Sequence, residues 1–366
     1  MEKRYYKHNK KFNLECGATI KNLEICYHIS KEFSGAEEER DSTQECSKSK
    51  PVIWITHALT ASSDPTDWWD TLVGRGKFFD PSKYTIICAN VIGSCYGSTC
   101  GASYNQESGK PYMLDFPRTT VRDIALCHNI LREELGIKSI DLLIGGSVGG
   151  FQAMEWSIIE PDVIKNVVFI ACGARISPWA NAFNESQRMA LFSDATLEQQ
   201  EFTKLDKPNS FGYTYEPTGG KSGLAAARSI ALISYRSYTG YDATQADEEN
   251  ALFTHRAESY QRYQGDKLAK RFDAYSYLAM INITDTHNIG RERGGIEAAL
   301  KLIKAKVLCI GIDSDFLFPT SEQTEIANGV NNGKFTCISS KFGHDGFLLE
   351  WDQIQNAIIE WNATLS

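Results

Sequence analysis

A serine set among glycines is the residue in this sequence best placed to do covalent chemistry. Gly145-Gly146-Ser147-Val148-Gly149-Gly150 follows the apolar run Leu142-Leu143-Ile144 and precedes Phe151-Gln152-Ala153-Met154-Glu155-Trp156, a stretch of helical character. Strand, Gly-x-Ser-x-Gly, helix is the pattern of a nucleophile elbow. Its glycines let strand and helix pack closely through a sharp turn, and its serine hydroxyl stands exposed at the strand end. The Val148 N–H, at the start of the helix, is then placed to donate to an oxyanion. A glycine-rich turn that merely joins strand to helix is the plainer reading, and partners for the serine are needed to displace it.

An alcohol is a weak nucleophile at neutral pH, so Ser147 needs a base, and the base needs an acid to fix its tautomer. On this kind of scaffold the chain order is serine, acid, histidine. Histidines stand at 8, 28, 57, 128, 255, 287 and 344, and only the last three follow Ser147. His255 and His287 fall in a helical region. His344 lies in Lys341-Phe342-Gly343-His344-Asp345-Gly346, a glycine-flanked loop directly after the last strand-like run, and is the candidate base. The preceding strand-like run leads into Gly311-Ile312-Asp313-Ser314-Asp315-Phe316-Leu317-Phe318-Pro319. Local sequence does not separate Asp313 from Asp315 as the acid. A second oxyanion donor belongs to a loop after an early strand. His57-Ala58-Leu59-Thr60 occupies that place, with Leu59 N–H as the donor and His57 as a support for the loop. Together these groups suit attack on an acyl carbonyl, with His344 taking the Ser147 proton.

Such groups meet only if a scaffold brings strand ends together. Pro51–Thr56, Tyr84–Ala89, Ile140–Ile144 and Asn166–Ala171 are short apolar runs of the kind buried on both faces of a sheet, and Ala305–Ile310 and Lys334–Ile338 repeat the pattern. Val121, Ile124, Ala125, Ile130 and Leu131 mark a helix over about 119–135. Alternating strands and helices predict an α/β fold, a mostly parallel central sheet with helices on both faces. Ala18-Thr19-Ile20 and Leu23-Glu24-Ile25-Cys26-Tyr27 predict an antiparallel edge. From about 173 to 296, strand-like runs give way to stretches rich in Ala, Glu, Gln, Arg and Tyr, which predict a helical insert over the sheet. The organisation expected is a core of residues 1–172 and 297–366 with a helical lid of 173–296.

Composition narrows the function classes. The chain has 366 residues, 42% of them hydrophobic and 23% charged, as in ordinary folded proteins. Its net charge of −8 argues against a broad nucleic-acid-binding face. No apolar run approaches the ~20 residues of a spanning helix. The polar N-terminus lacks the apolar segment of a signal peptide. Ten cysteines include no Cys-x-x-Cys pair, which favours buried free thiols in a reducing cytosol over disulfides or a zinc site. Residues 34–50, with Glu37-Glu38-Glu39, predict a solvated loop. Gly219-Gly220-Lys221-Ser222 hints at a phosphate loop, but Tyr215 stands where that pattern needs glycine. No dinucleotide fingerprint, no His-Glu-x-x-His and no metal cluster occurs.

Seven motifs, in order, carry a resemblance. They are His57-Ala58-Leu59-Thr60, Asp67-Trp68-Trp69, Cys88–Thr99, the elbow itself, Arg271-Phe272-Asp273-Ala274-Tyr275-Ser276-Tyr277-Leu278, Ser314–Pro319 and Gly343-His344-Asp345-Gly346-Phe347-Leu348. Together, over about residues 12–352, they resemble the homoserine O-acetyltransferases, enzymes of the α/β-hydrolase fold. The resemblance implies acetyl transfer from acetyl-CoA to the hydroxyl of L-homoserine by a ping-pong mechanism, an early step of methionine synthesis. It implies Ser147, Asp315 and His344 as the triad, and it selects Asp315 over Asp313. It further implies that Arg228 and Tyr235 contact substrate and that Asp345 holds the substrate ammonium. No tightly bound cofactor is implied beyond acetyl-CoA as acyl-donor substrate. The partners implied are small molecules and a second copy of the chain, in a cytoplasmic homodimer.

The sequence departs from the family pattern in places. Val148 replaces the usual Met after the serine, Gly97-Ser98-Thr99-Cys100-Gly101 replaces Gly-Ser-Thr-Gly-Pro, and Gly74-Arg75-Gly76 replaces Gly-Pro-Gly. The last two put altered side chains in loops expected to border the entrance, with Arg75 as a candidate cation for a carboxylated donor. Close relatives use succinyl-CoA or act on serine, and an esterase or thioesterase uses the same triad, so these alternatives stand beside acetyl transfer.

Overall fold

The computed structural model describes residues 1–31, 50–249 and 251–361. The polar loop expected at 34–50 lies outside the described residues except for Lys50, and Cys46 lies outside them too.

Eight strands form the central sheet: β1 Glu2–His8, β2 Leu23–Ile29, β3 Val52–Thr56, β4 Thr85–Ala89, β5 Leu142–Gly146, β6 Asn166–Ile170, β7 Lys306–Ile312 and β8 Gly333–Ile338. Their spatial order is β1-β2-β4-β3-β5-β6-β7-β8. Pairing is parallel from β4 through β8, while β2 runs antiparallel to both β1 and β4. This is the mostly parallel sheet with an antiparallel edge that the apolar runs predict. Two-fold alternation along the strands splits the core between the faces. Trp54, Ile87, Leu143, Val167 and Phe169 join one hydrophobic cluster. Their neighbours Ile53, Ile55, Ile86, Ile144, Val168 and Ile170 join the other.

Helices cover these faces. α1 Val121–Glu134 and α2 Val148–Ile159 pack on the first, and a later C-terminal helix on the second. α1 begins at Thr120 with a reciprocal capping box to Asp123. Next come α3 Pro178–Phe192, α4 Ala195–Gln199, α5 Lys221–Tyr235, α6 Tyr238–Gln245, α7 Arg256–Ala269 and α8 Ala274–Asp285. The side chains of Ser177, Asp194, Ser237 and Asp273 cap α3, α4, α6 and α8. α9 Ile296–Lys301, α10 Thr320–Gly329, α11 Gly346–Leu349 and α12 Trp351–Glu360 complete the chain.

The stretch 173–296 is helical as expected, with one difference. Phe202–Lys204 and Tyr215–Pro217 pair as a small antiparallel hairpin. Its first strand is fully exposed and three residues long, so it carries no apolar alternation to reveal it. The cysteines also differ in part from expectation. Those described are unpaired, but Cys16 and Cys337 are exposed rather than buried. Among the described residues, no helix is long and apolar enough to cross a membrane.

The sheet positions the elbow through close backbone contact. Thr56 Oγ1, at the end of β3, donates to Gly149 O at 2.7 Å. A Cβ on Gly149 would lie 2.2 Å from Thr56 O, a separation atoms do not tolerate. Gly149→Ala should therefore cost about 3 kcal/mol, the upper end of overpacking penalties. Urea unfolding would register this as a lower midpoint at an unchanged slope.

Candidate active site

Ser147 joins β5 to α2 with φ 55 and ψ −126. A non-glycine residue in that region costs ~1–3 kcal/mol and persists only where its surroundings over-determine it. Here Ser147 N donates to Ile170 O at 2.9 Å, on the next strand, while Ser147 O accepts from Gly150 N and Phe151 N. The hydroxyl is thereby aimed out of the carboxyl end of the sheet. Only 8% of the residue is exposed.

His344 reaches Ser147 from the loop after β8. Its Nε2 lies 2.8 Å from Ser147 Oγ, and its Nδ1 lies 2.7 Å from Asp315 Oδ2. The carboxylate fixes the proton on Nδ1, which leaves Nε2 to accept from the serine hydroxyl. Asp315 Oδ1 accepts from Leu317 N and Phe318 N at 2.9 and 3.0 Å. All three residues are buried. Burial disfavours the imidazolium, but the Asp315 charge and hydrogen bond, helped by Asp345, outweigh it and raise the His344 pKa above its ordinary 6.5.

The two loops that meet here are cross-braced. Ser314 Oγ donates to Ser340 O and accepts from Gly343 N at 3.1 Å. Asp313 Oδ1 accepts from Ser340 N at 3.0 Å. Asp313 thus ties the acid loop to the histidine loop and does not touch His344. Gly343 takes φ 65, and a Cβ there would come 2.8 Å from Ser237 N, so glycine is required beside the histidine.

The Leu59 loop is held from beneath. Val91 N donates to His57 Nε2 at 3.0 Å, and Nδ1 donates to Ala58 O at 2.9 Å. Gln152 Nε2 donates to His57 O at 2.9 Å. Complete burial pushes His57 down to about pKa 4, so it stays neutral and structural. Leu59 and Val148 both border a small cavity of about 30 Å³ beside Ser147. Among the described residues no acceptor engages either backbone amide.

On its other side Ser147 opens into a cavity of about 640 Å³, whose wall includes His344, Arg228, Tyr235, Asp345 and Leu59. The substrate-contact candidates are therefore brought together with the serine. The Arg228 guanidinium lies 5.5 Å from the centre of the Tyr235 ring. Burial pushes the Asp345 carboxyl up, against the pull of Arg236, Arg228 and His344.

Three cations to which the sequence assigns no role lie at the site. Arg236 Nε lies 3.0 Å from Asp345 Oδ2. Lys270 and Arg271 line the cavity, where Arg271 Nη1 donates to Thr60 O at 2.8 Å and also meets Tyr96 OH. The Arg271-Phe272-Asp273 motif was the available signal for Arg271, and Lys270 stands just outside it. Arg75 is a correction: it is exposed and lines neither cavity. Cys100 is another, being buried against Ala102 and Tyr213 rather than bordering an entrance. Among the described residues no group of three or more His, Cys, Asp or Glu side chains is placed to hold a metal ion.

The comparisons agree on the fold. A family model described as the alpha/beta hydrolase fold matches residues 51–350. The homoserine O-acetyltransferase of Cyclobacterium marinum is 46% identical over 304 residues, 83% of this chain and 82% of that one. The crystal structure of homoserine O-acetyltransferase from Bacillus anthracis matches with a TM-score of 0.84 at 20% identity, over 100% of this chain and 98% of that one. Esterase E22 matches with a TM-score of 0.82 at 23% identity over 100% of both chains. At these identities the two structures bear on the fold alone.

A base works only when neutral. Acylation of Ser147 by an activated acetyl ester should therefore rise with pH through a midpoint above 6.5, read from stopped-flow burst rates. The linked stability has the opposite sign, present below that ordinary value and lost as pH rises through the raised one. Asp315→Asn, which frees the wrong tautomer, should slow the burst by about 10⁴-fold.

Proposed function

The chain belongs to the homoserine O-acetyltransferase family of the α/β-hydrolase fold, and from that premise we propose that it moves an acetyl group from acetyl-CoA to the side-chain hydroxyl of L-homoserine through an acyl-Ser147 intermediate. The observation that carries the reading is the composition of one cavity. A hydrogen-bonded serine, histidine and carboxylate share its wall with Arg228 and Asp345, a cation and an anion suited to the two ends of an amino-acid zwitterion.

The steps follow from the positions. His344 Nε2 takes the Ser147 proton as Oγ attacks the thioester carbonyl. Leu59 N–H and Val148 N–H stabilise the oxyanion, each donor worth roughly 2.7–4 kcal/mol by analogy with measured oxyanion holes. The intermediate collapses by breaking the carbon–sulfur bond, and the CoA sulfur leaves with the proton from the imidazolium. Homoserine then enters with its carboxylate on Arg228 and its ammonium on Asp345. His344 accepts the proton of its hydroxyl, the new ester bond forms, and Ser147 is released with that proton. Asp315 fixes the imidazole throughout and offsets its transient charge.

Holding the acceptor beside a buried acyl-enzyme favours transfer over hydrolysis, because positioning replaces a bimolecular encounter and water is excluded. Lys270 and Arg271 give the wall a cationic side suited to the phosphates of a CoA ester. The place in methionine synthesis and the homodimer belong to the same proposal. Trp179, Met189, Ile233 and Tyr238, exposed on α3, α5 and α6, offer apolar surface for a second copy.

The test measures CoA release from acetyl-CoA with and without L-homoserine, with succinyl-CoA and L-serine as the other donor and acceptor. Release should rise about tenfold or more with the proposed pair. A rate indifferent to homoserine would identify a hydrolase instead. Ser147→Ala should give no acetyl adduct in intact-protein mass spectra, and an adduct that persists would remove Ser147 from the pathway.

A further inference from the structure

The carboxylate assigned to the acceptor's ammonium is not free in the folded chain. Asp345 Oδ2 faces Arg236 Nε at 3.0 Å, with both side chains largely removed from solvent, at 15% and 24% exposure. Among the described residues no donor is hydrogen-bonded to Oδ1, and the residue lines the cavity that contains Ser147. Arg236 Nε is itself buried without an aligned acceptor, so it acts on Asp345 as a charge rather than through a directed hydrogen bond.

The location of this arginine is fixed from two directions. It follows directly on Tyr235, the last residue of α5, the helix that also carries Arg228. The next residue, Ser237, hydrogen-bonds Lys341 O, on the loop that carries His344 and Asp345. Gly343 packs against the same junction, close to Arg236 C and Ser237 N. The segment joining α5 to α6 is thus clamped to the histidine loop, and the arginine between the clamps is held against the carboxylate.

We propose that Arg236 is a positioning residue for the amino-acid acceptor: it anchors one oxygen of Asp345 and leaves the other aimed at the cavity for the acceptor's ammonium. Burial alone favours the protonated carboxyl, which has lost the charge an ammonium needs. The groups facing Asp345 are Arg228 and Tyr235 from α5, Arg236 after it, Tyr241 from α6, Asp315 from the loop after β7, and His344 on its own turn. Of the cations among them, Arg228 is assigned to the acceptor's carboxylate and His344 is neutral between steps. Arg236 is the one whose charge stays on Asp345 through the cycle.

The inference rests on the acyl transfer proposed above, and the test separates the two. Full-length wild type, Arg236→Met and Arg236→Lys are assayed with acetyl-CoA and L-homoserine across neutral and mildly alkaline pH. Acylation is followed separately as the burst of CoA without acceptor. Arg236→Met should raise the acceptor KM by about tenfold, roughly 1.4 kcal/mol, and lose more in acceptor kcat/KM than in the burst. The acidic limb of the KM profile should move to higher pH, because an unpaired Asp345 protonates earlier. Arg236→Lys should recover most of the loss. In an Asp345→Asn background, Arg236→Met should add little.

Equal losses in both half-reactions with an unmoved pH profile, or full additivity in the double variant, would overturn the inference and leave the acyl transfer standing. Wild-type release indifferent to homoserine would overturn both. Should Arg236→Met fail to fold, the equally uncharged Arg236→Gln, with and without Asp345→Asn, gives the same comparison.

Discussion

The contact between the end of β3 and the first turn of α2 is closer than any side chain permits. Thr56 occupies the space that a Cβ on Gly149 or Gly145 would need, and its hydroxyl bonds the Gly149 carbonyl. This contact sets the angle at which strand turns into helix, and the angle sets the backbone of Ser147. The positive φ there is opposed by its own sterics and held by three hydrogen bonds. Everything else at the site takes its position from that hydroxyl. The histidine loop is measured against it, and the Leu59 loop is held to the same helix through Gln152.

Charge around the serine is sorted by burial and pairing. Two histidines lie within reach of the elbow and behave oppositely. His57 has only neutral hydrogen-bonding partners, so burial keeps it uncharged and structural. His344 is as deeply buried but faces two carboxylates, which stabilise its protonated form. The same fold thus makes one imidazole a brace and gives the other the basicity of a proton acceptor. A second sorting separates the two aspartates before the last helices. Asp313 receives a backbone N–H across the loop, and two residues later Asp315 receives the imidazole.

The sheet was legible because its strands are continuous apolar runs. Leu142–Gly146 and all of Val52–Thr56 after its half-buried first residue are buried on both faces and cannot be mistaken for solvent-facing segments. The elbow was legible because glycine, serine and strand are adjacent in sequence. What local sequence did not contain was tertiary pairing. Nothing near residue 313 distinguishes the aspartate that meets an imidazole from the one that braces a loop. Arg236 reads as an ordinary helix-end cation until Asp345 is brought to it. Lys270 likewise follows a helix, α7, and gains meaning only from the cavity it borders. The hairpin at 202–217 was invisible for the opposite reason, since its strands are three residues long, the first exposed throughout and the second burying only Pro217, too little to leave a pattern.

Arg236 and Asp345 carry opposite charges and together present no net charge to the cavity. Recognition at that corner is then short-ranged and directional, and dissolved ions have little to screen. Lys270 is different: it stands in the wall with no carboxylate bound to it among the described residues. Its pull on an anionic donor reaches across the ~8–10 Å over which physiological salt attenuates a field. On the proposed reading, raising the ionic strength weakens capture of the donor while leaving capture of the acceptor nearly untouched.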